Sequence, residues 1–233
     1  MVKELFQIVG TQTEPATDIR ISGLTLMHVA PTYMDDYAVG SGGDYAVYRG
    51  GAVHLNGTRN CTVDHNLFEG VGGNAVWLTD YNRHAHVVAN EMRHIGENGV
   101  GMMGSTDWVD GRGGNQPRFN VVEGNLIHHL GLYTKQSCAI FSAVSCQNTI
   151  TQNIMFHGPR ALVNMNDGFG GATLISHNLF FASLLETSDH GPYNSWDRLP
   201  FLTDVAFGNG TGSNPNPKTE TRNPKPYTRN LKP

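Results

Sequence analysis

Charged residues and long hydrophobic runs are both scarce in this chain of 233 residues. Asp, Glu, Lys and Arg make up 15% of it, and the formal net charge is −4 at pH 7. Because proteins that grip nucleic-acid phosphates are basic, we expect no nucleic-acid partner. No hydrophobic run approaches the ~20 residues that a membrane-spanning helix needs. The segment MVKELFQIVG also lacks the apolar stretch of a signal peptide. We therefore expect neither a membrane span nor a signal peptide in this chain.

Cysteine is rare as well, and its three occurrences lack the paired spacing of a zinc site: Cys61, Cys138 and Cys146. We interpret them as buried small apolar residues, with a Cys138–Cys146 disulfide as the alternative. On a strand, the adjacent His128 and His129 would point to opposite faces and could not share a metal ion. We therefore predict no metal site and no cofactor, while a calcium ion held by loop aspartates stays open as an alternative.

What the sequence has in abundance is a repeat built around asparagine. The segments VDHNLF, VANEM, VEGNLI, ITQNIM and ISHNLF align on Asn66, Asn90, Asn125, Asn153 and Asn178. A β-branched residue stands three positions before each Asn: Val63, Val87, Val122, Ile150 and Ile175. A large apolar residue stands two positions after it: Phe68, Met92, Ile127, Met155 and Phe180. An earlier segment, IRISGL, is predicted to be a further copy, with Ile19, Ser22 and Leu24 at these positions.

A second strand-like segment accompanies each copy, anchored at Val53, Val76, Val100, Ile140 and Val163. The unit without insertions is about two dozen residues long and has two predicted short strands. Such a unit cannot bury its apolar face alone, but stacked copies can, with each strand bonded to its equivalents above and below. The repeat therefore predicts an all-β parallel β-helix of about six coils. A leucine-rich repeat is the main alternative, although Val, Ile, Met and Phe fill the positions where that repeat requires Leu.

Insertions into the repeat flank the second strand of the coil and occupy residues 28–51, 104–118, 128–138 and 186–198. Insertions on one side of a solenoid often build its binding surface. Strand alternation directs one set of side chains outward, as the floor of a predicted groove: His54, Trp77, Phe141, Asn164 and Asn166. Aromatic rings and amides suit sugar rings. The alternative is that the inserted loops cover Trp77 and Phe141. The loops add Asp44, Trp196 and Arg198 to the predicted substrate-binding residues.

Three stretches carry a resemblance to known proteins: SGGDYAVYRGGAVHL, GPRALVNMNDGFGG and SDHGPYNSWDRLPFLT. The chain resembles the pectin-lyase-like right-handed parallel β-helix superfamily. Within it, the chain is most similar to a group of secreted-type β-helix proteins of marine algae, bacteria and invertebrates. The resemblance covers roughly residues 5–205. It implies a right-handed β-helix domain over residues 1–205, forming part of a longer β-helix, and an extracellular or cell-surface location. Residues 206–233 are rich in Pro, Asn and Thr, so we expect a disordered tail there.

The resemblance also implies polysaccharide cleavage, and a glycoside hydrolase is the favoured class. Such an enzyme needs two carboxyl groups that flank the scissile bond. The candidates are Asp167, Asp189 and Asp197, with His190 and Arg160 placed to orient substrate or to change a carboxyl pKa. The repeat register assigns Asp167 and Asp189 to opposite ends of the second strand, so they would meet only if the 186–198 loop folded back.

Two other functions stay open from the sequence. Some β-helix lyases resembling chondroitinase use a Lys base with an Arg from the next coil, and about one repeat length separates Lys135 from Arg160. The third possibility is a sugar-binding module or adhesin without turnover. In each case we expect a monomer whose partner is a polysaccharide or oligosaccharide.

Overall fold

The computed structural model describes residues 1–40, 45–167 and 169–204, and these form 23 strands and no helix. Three parallel sheets contain most of the strands, as expected for a parallel β-solenoid. Asp44 and the tail predicted over residues 206–233 lie outside the described residues. Within the described residues, no helix is long and apolar enough to cross a membrane. The three cysteines, all in this part of the chain, are buried and free, so the disulfide alternative is wrong.

Sheet A is the largest of the three and runs β1-β7-β10-β13-β17-β20-β23. Its strands are β1 (Phe6–Val9), β7 (Val53–Arg59), β10 (Val76–Arg83), β13 (Val100–Met103), β17 (Ile140–Ala143), β20 (Val163–Asn166) and β23 (Tyr193–Trp196). Two short strands pair with members of this sheet, namely β2 (Ala16–Thr17) with β7 and β14 (Pro117–Arg118) with β10.

Sheets B and C have six strands each. Sheet B contains β3 (Arg20–Ser22), β8 (Thr62–Asp64), β11 (His86–Val88), β15 (Val121–Glu123), β18 (Thr149–Thr151) and β21 (Leu174–Ser176). Sheet C contains β4 (Thr25–Met27), β9 (Leu67–Glu69), β12 (Glu91–Arg93), β16 (Leu126–His128), β19 (Ile154–Phe156) and β22 (Leu179–Phe181). A separate antiparallel hairpin joins β5 (Ala38–Gly40) to β6 (Tyr45–Val47).

Each coil passes through sheets B, C and A in turn and therefore has three strands, not the two predicted. The difference arises at the residue before each of the repeated asparagines, where φ is positive and the chain bends. His65 (φ 54°) ends β8 in this way, and Ala89 (φ 53°) ends β11. Left-handed backbone of this kind cannot continue a strand. The segment VDHNLF is thus two short strands joined by a corner.

The predicted inward columns pack together in one hydrophobic core. The sheet B column pairs Val63 with Val87, and the sheet C column pairs Phe68 with Met92. The alignment of the first copy was wrong. Ile21, not Ile19, faces inward beside Val63, and Leu24 occupies the position that an asparagine has in the later copies.

The asparagines form one continuous ladder along the solenoid, as the repeat predicted. Asn66 donates from its peptide N and its Nδ2 to Asn90 Oδ1, at 3.0 and 3.1 Å. Asn90 Nδ2 also donates to the peptide oxygen of Val63 at 2.9 Å. The same pattern continues through Asn125, Asn153 and Asn178. Each side chain therefore satisfies peptide groups that the turn leaves without partners.

The other two corners have shorter ladders that the repeat did not reveal. Asn98 Nδ2 donates to Asn74 Oδ1 at 2.9 Å between sheets C and A. Asn120 Nδ2 donates to Asn148 Oδ1 at 3.0 Å between sheets A and B. All three corners are thus held by amide groups that bridge consecutive coils.

Replacement of Asn125 by Ala is expected to lower the free energy of unfolding by about 2–5 kcal/mol. The change removes the acceptor for two donors of Asn90 and the donor to Val87 O, and buried unpaired groups cost about 1–3 kcal/mol each. Urea-induced unfolding followed by circular dichroism measures the loss. Thr151→Ala, on the outer face of sheet B, is the control and should cost less than about 1 kcal/mol. Equal losses in the two variants would contradict a structural role for the ladder.

Candidate functional site

The outer face of sheet A presents two columns of side chains, because each strand is in register with its neighbours. The first column contains Gln7, His54, Trp77, Gly101, Phe141, Asn164 and Asn194. The second contains Val9, Asn56, Thr79, Met103, Ala143, Asn166 and Trp196. All five residues predicted to form the groove floor do point away from the core of the solenoid.

The middle of this face is covered, so Trp77 and Phe141 do not form an open groove floor, and the alternative that an inserted loop covers them is confirmed. Both side chains are fully buried. The ring of Tyr45 stacks on Phe141 with centroids 4.7 Å apart, and the ring centroids of Trp77 and Phe141 are 6.0 Å apart. Tyr45 and Val47 belong to the hairpin strand β6, and they pack with these rings in a second hydrophobic cluster. The inserted hairpin therefore acts as a cover over the aromatic pair.

Beyond the hairpin, the last two rungs of sheet A present amide groups and an exposed ring. Asn194 Nδ2 donates to Asn164 Oδ1 at 2.7 Å, and Asn164 Nδ2 donates to Asn166 Oδ1 at 2.8 Å. Asn164 and Asn166 are almost fully buried, whereas the side chain of Trp196 is about half exposed. The guanidinium of Arg198 lies 5.1 Å from the centre of the Trp196 ring. Four of the predicted site residues thus lie on or directly after the last two strands of sheet A: Asn164, Asn166, Trp196 and Arg198.

Asp167 and Asp197 follow directly after these two strands, at the same end of sheet A. Asn166 is in register with Trp196, and Asp167 N donates to Trp196 O at 2.9 Å. Asp167 and Asp197 are the residues that follow these two register partners, and paired strands lie about 4.8 Å apart in a sheet. Asp167 is buried and has a positive φ of 50°, whereas Asp197 is exposed. The two carboxyl groups thus have different surroundings.

Arg160, His190 and Asp189 lie together at the opposite end of the same two strands. Arg160 Nη2 contacts His190 Nε2, and this nitrogen is also 3.0 Å from Asp189 Oδ2. The guanidinium of Arg160 is nearly buried and lies 5.2 Å from the centre of the Tyr45 ring. Four strand residues of about 3.3 Å each, roughly 13 Å in all, separate this group from the aspartate pair. Asp167 and Asp189 are therefore not brought together, in agreement with the repeat register.

Lys135, the candidate lyase base, forms an ion pair at the surface of its inserted loop. Its Nζ is 2.8 Å from Glu186 Oε1, and both side chains are about half exposed. The ammonium group is thus engaged in an ion pair on the surface. Arg160 makes its contacts with His190 and Tyr45 instead.

A buried carboxyl group at Glu97 was not evident from the sequence. It is only 3% exposed and accepts a 2.8 Å hydrogen bond from Thr32 Oγ1. Burial raises the pKa of Glu97 to about 7. The loops near it include Tyr33 and Tyr133, whose exposed rings stack with centroids 5.7 Å apart. Its hydrogen-bond partner is distant along the chain, so no local pattern could identify this carboxyl group.

A second polar group surrounds His54 on the first rungs of sheet A. His54 Nε2 lies 2.9 Å from Thr79 Oγ1, and His54 is only 6% exposed. Burial lowers the pKa of His54, partly opposed by the nearby carboxylate of Glu4. Beside it, Arg49 Nη2 donates to Asp80 Oδ1 at 2.7 Å. His54 was predicted to bind substrate, but the sequence did not reveal these partners.

The 104–118 insertion borders an open pocket of about 730 Å³ lined in part by Asp107, Asp110 and Arg112. Arg112 Nη2 donates to Asp110 Oδ2 at 2.6 Å, so the two charges largely neutralise each other. Trp108, in the same loop, is 91% exposed. The loop is anchored to the solenoid by Ser105 Oγ, which donates to Asp80 Oδ1 at 2.5 Å.

Neither metal ligands nor known relatives assign a chemistry to these groups. Within residues 1–40, 45–167 and 169–204, no cluster of three or more His, Cys, Asp or Glu side chains is placed to hold a metal ion. No protein-family model, curated protein or solved structure matches the chain. The two polar regions of sheet A are therefore the features of the molecule that bear on its function.

We expect Gly101→Ala to destabilise the protein by about 1–3 kcal/mol, because the added Cβ would collide with Trp77 Cε3 and Cζ3. Trp77 cannot move outward without displacing Phe141 and the hairpin. Gly113→Ala is the matched control, since a Cβ there meets no atom within 4 Å. The melting temperatures of the two variants, measured by thermal unfolding, test whether Trp77 is tightly packed under Phe141 and the hairpin. Comparable melting temperatures would mean that the aromatic cluster is loosely packed.

The burial of Glu97 predicts a loss of stability as the pH rises from about 4.5 to about 7. Over this range the unfolded chain releases the Glu97 proton while the folded chain keeps it, so folding becomes less favourable. The full effect is about 3 kcal/mol above pH 7, from the roughly 1.4 kcal/mol that accompany each pKa unit. Glu97→Gln should remove the slope and stabilise the protein at pH 8, as measured by urea unfolding at several pH values. Glu14→Gln, an exposed control, should leave the slope unchanged.

Proposed function

We propose that the chain is a glycoside hydrolase that acts on an extracellular polysaccharide, with Asp167 and Asp197 as its pair of carboxyl groups. We also propose that its solenoid is right-handed and of the pectin-lyase-like type. One observation carries the enzymatic proposal. β20 and β23 are paired on neighbouring rungs, and the two aspartates are the residues that follow Asn166 and Trp196, the last paired residues of these strands.

Glycoside hydrolysis needs two carboxyl groups that act on opposite sides of one bond. One protonates the glycosidic oxygen, and the other attacks the anomeric carbon or activates water. We propose retention of configuration, through a covalent glycosyl-enzyme intermediate, which requires the two carboxyl groups to lie roughly 5–5.5 Å apart. Side chains on neighbouring rungs, whose main chains are about 4.8 Å apart, can adopt this separation.

The residues around the aspartates support sugar recognition. The half-exposed indole of Trp196 offers an apolar face to a pyranose ring, as aromatic side chains often do. Asn194 is half-buried and presents an amide next to it on β23. Asp189, whose side chain is exposed at the far end of these strands, would contact a neighbouring unit of the same polymer, while His190 and the nearly buried Arg160 hold it in position. Substrate would then lie along the strands, across the last two rungs.

The test compares Asp167→Asn and Asp197→Asn with the unaltered chain on a panel of neutral and acidic polysaccharides. Each change removes proton transfer or nucleophilic attack while keeping the size of the side chain. The release of reducing ends should fall by about 10²–10⁴-fold. Asp36→Asn, an exposed aspartate in another loop, should keep full activity. Because Asp167 is buried, thermal unfolding must accompany the assay. Asp197 is exposed, so its variant separates catalysis from folding.

Other outcomes would point to the other two functions. Formation of an unsaturated uronate product, lost in Lys135→Ala, would indicate β-elimination and contradict the aspartate pair. Binding of oligosaccharide without any product would indicate a sugar-binding module. Full activity in a folded Asp197→Asn variant would also overturn the proposal.

A further inference from the structure

Three consecutive rungs of sheet A each contribute one polar side chain to a connected group far from the aspartate pair. Glu4 lies just before β1, His54 is on β7 and Thr79 is on β10. His54 Nε2 is 2.9 Å from Thr79 Oγ1, and His54 Nδ1 is 3.1 Å from Glu4 Oε1. The carboxylate, the imidazole and the hydroxyl therefore follow one another in the order that an activated nucleophile requires.

The fold keeps Glu4 close to the imidazole. Gly50 leaves room for the carboxylate, because a Cβ at this position would collide with Glu4 Oε1. His54 Nδ1 is buried and makes no in-line hydrogen bond among the described residues. Glu4 Oε1 is 3.1 Å from this nitrogen, so a proton carried on Nδ1 faces the carboxylate and leaves Nε2 as the acceptor that faces Thr79.

The charges around the group favour a neutral imidazole that can accept a proton. Burial lowers the pKa of His54, and Arg49 acts in the same direction, whereas Glu4 and Asp80 oppose the change. The unprotonated ring is thus the prevailing form near pH 7.

Arg49 also supplies a fixed positive group near Thr79. Its Nη2 donates to Asp80 Oδ1 at 2.7 Å and to Met103 O at 2.9 Å. Asp80 follows Thr79 along β10, and Met103 is in register with Thr79 on the next strand. The guanidinium is therefore held on the rungs that carry the hydroxyl.

From this geometry we propose that Thr79 is the nucleophile of a second active centre that hydrolyses acyl esters, with His54 as general base and Glu4 as the residue that orients it. The proposal does not rest on the glycoside hydrolase proposed above. Thr79 is only 7% exposed, so the acyl group must be small, such as the acetyl group of an O-acetylated sugar.

The reaction needs water as its only co-reactant. Thr79 Oγ1 attacks the ester carbonyl carbon while its proton passes to His54 Nε2, and Arg49 stabilises the oxyanion. The tetrahedral intermediate collapses, the C–O bond to the alcohol breaks, and His54 returns the proton to the leaving oxygen. Water then attacks the acyl-threonine, losing a proton to His54, which passes it to Thr79 Oγ1 as the acyl bond breaks. A carboxylic acid and the original hydroxyl are released.

The experiment measures the hydrolysis of p-nitrophenyl acetate and the labelling of Thr79 by a fluorophosphonate probe, which loses fluoride when the hydroxyl attacks it. The Thr79→Val and His54→Asn variants should lose at least about 100-fold of the rate. Thr79→Ser keeps the hydroxyl and should keep the activity. Thr151→Val, at a hydroxyl on the outer face of sheet B, is the matched control and should be unaffected.

The pH profile gives a readout that a purely structural role would not change. Ester hydrolysis should fall as the pH drops through the lowered pKa of His54, at a midpoint below the usual value of 6.5. Glu4→Gln should shift this midpoint and reduce the rate. A rate in Thr79→Val equal to that of the unaltered chain would overturn the proposal, and so would probe attachment at other residues only. The ester and polysaccharide assays depend on different residues, so failure of one proposal leaves the other standing.

Discussion

The amide groups at the corners of the solenoid determine the arrangement of everything else. A coil of short strands and sharp turns leaves peptide groups at each corner that the coil itself cannot satisfy. The asparagine side chain solves this by reaching the next coil, as when Asn125 Oδ1 accepts two hydrogen bonds from Asn90. Because each amide needs its counterpart one rung away, the register between coils is fixed at the corner and is transmitted to all three sheets.

A fixed register means that residues far apart in sequence become neighbours when they occupy the same position of successive coils. Asp167 and Asp197 follow Asn166 and Trp196, which are register partners on adjacent rungs although a full coil of chain separates them. About one coil also separates His54 from Thr79, which lie in the two neighbouring columns of the outer face and contact each other across adjacent rungs. The rigidity of such a stack also holds a polar group in place without a flexible hinge. This is the property that a pair of reacting side chains needs, since small displacements weaken catalysis strongly.

The repeat predicted the core and the main ladder because both depend only on residues at fixed spacing. The prediction was wrong for the first coil, where Leu24 stands at the position of the asparagine. The inward position was therefore assigned to Ile19, although Ile21 occupies it. The third strand was missed because a left-handed residue such as His65 interrupts a segment without changing its hydrophobic pattern. Asp167 and Asp197 were candidates from the sequence, but the sequence did not show that the residues before them, Asn166 and Trp196, are register partners on adjacent strands.

The sequence left two interpretations of Trp77 and Phe141 open, a groove floor or burial under an inserted loop, because the outcome depends on where the insertion folds and not on the strands that carry these rings. Tyr45 reaches across the middle of sheet A and helps to exclude water from Trp77. The same cover divides the outer face into two polar regions, with the group around His54 on one side and the two aspartates on the other. The charged groups of each region are therefore paired within that region, as Arg49 is paired with Asp80 in the region around His54. Two separately balanced polar regions on one rigid sheet can carry two separable activities.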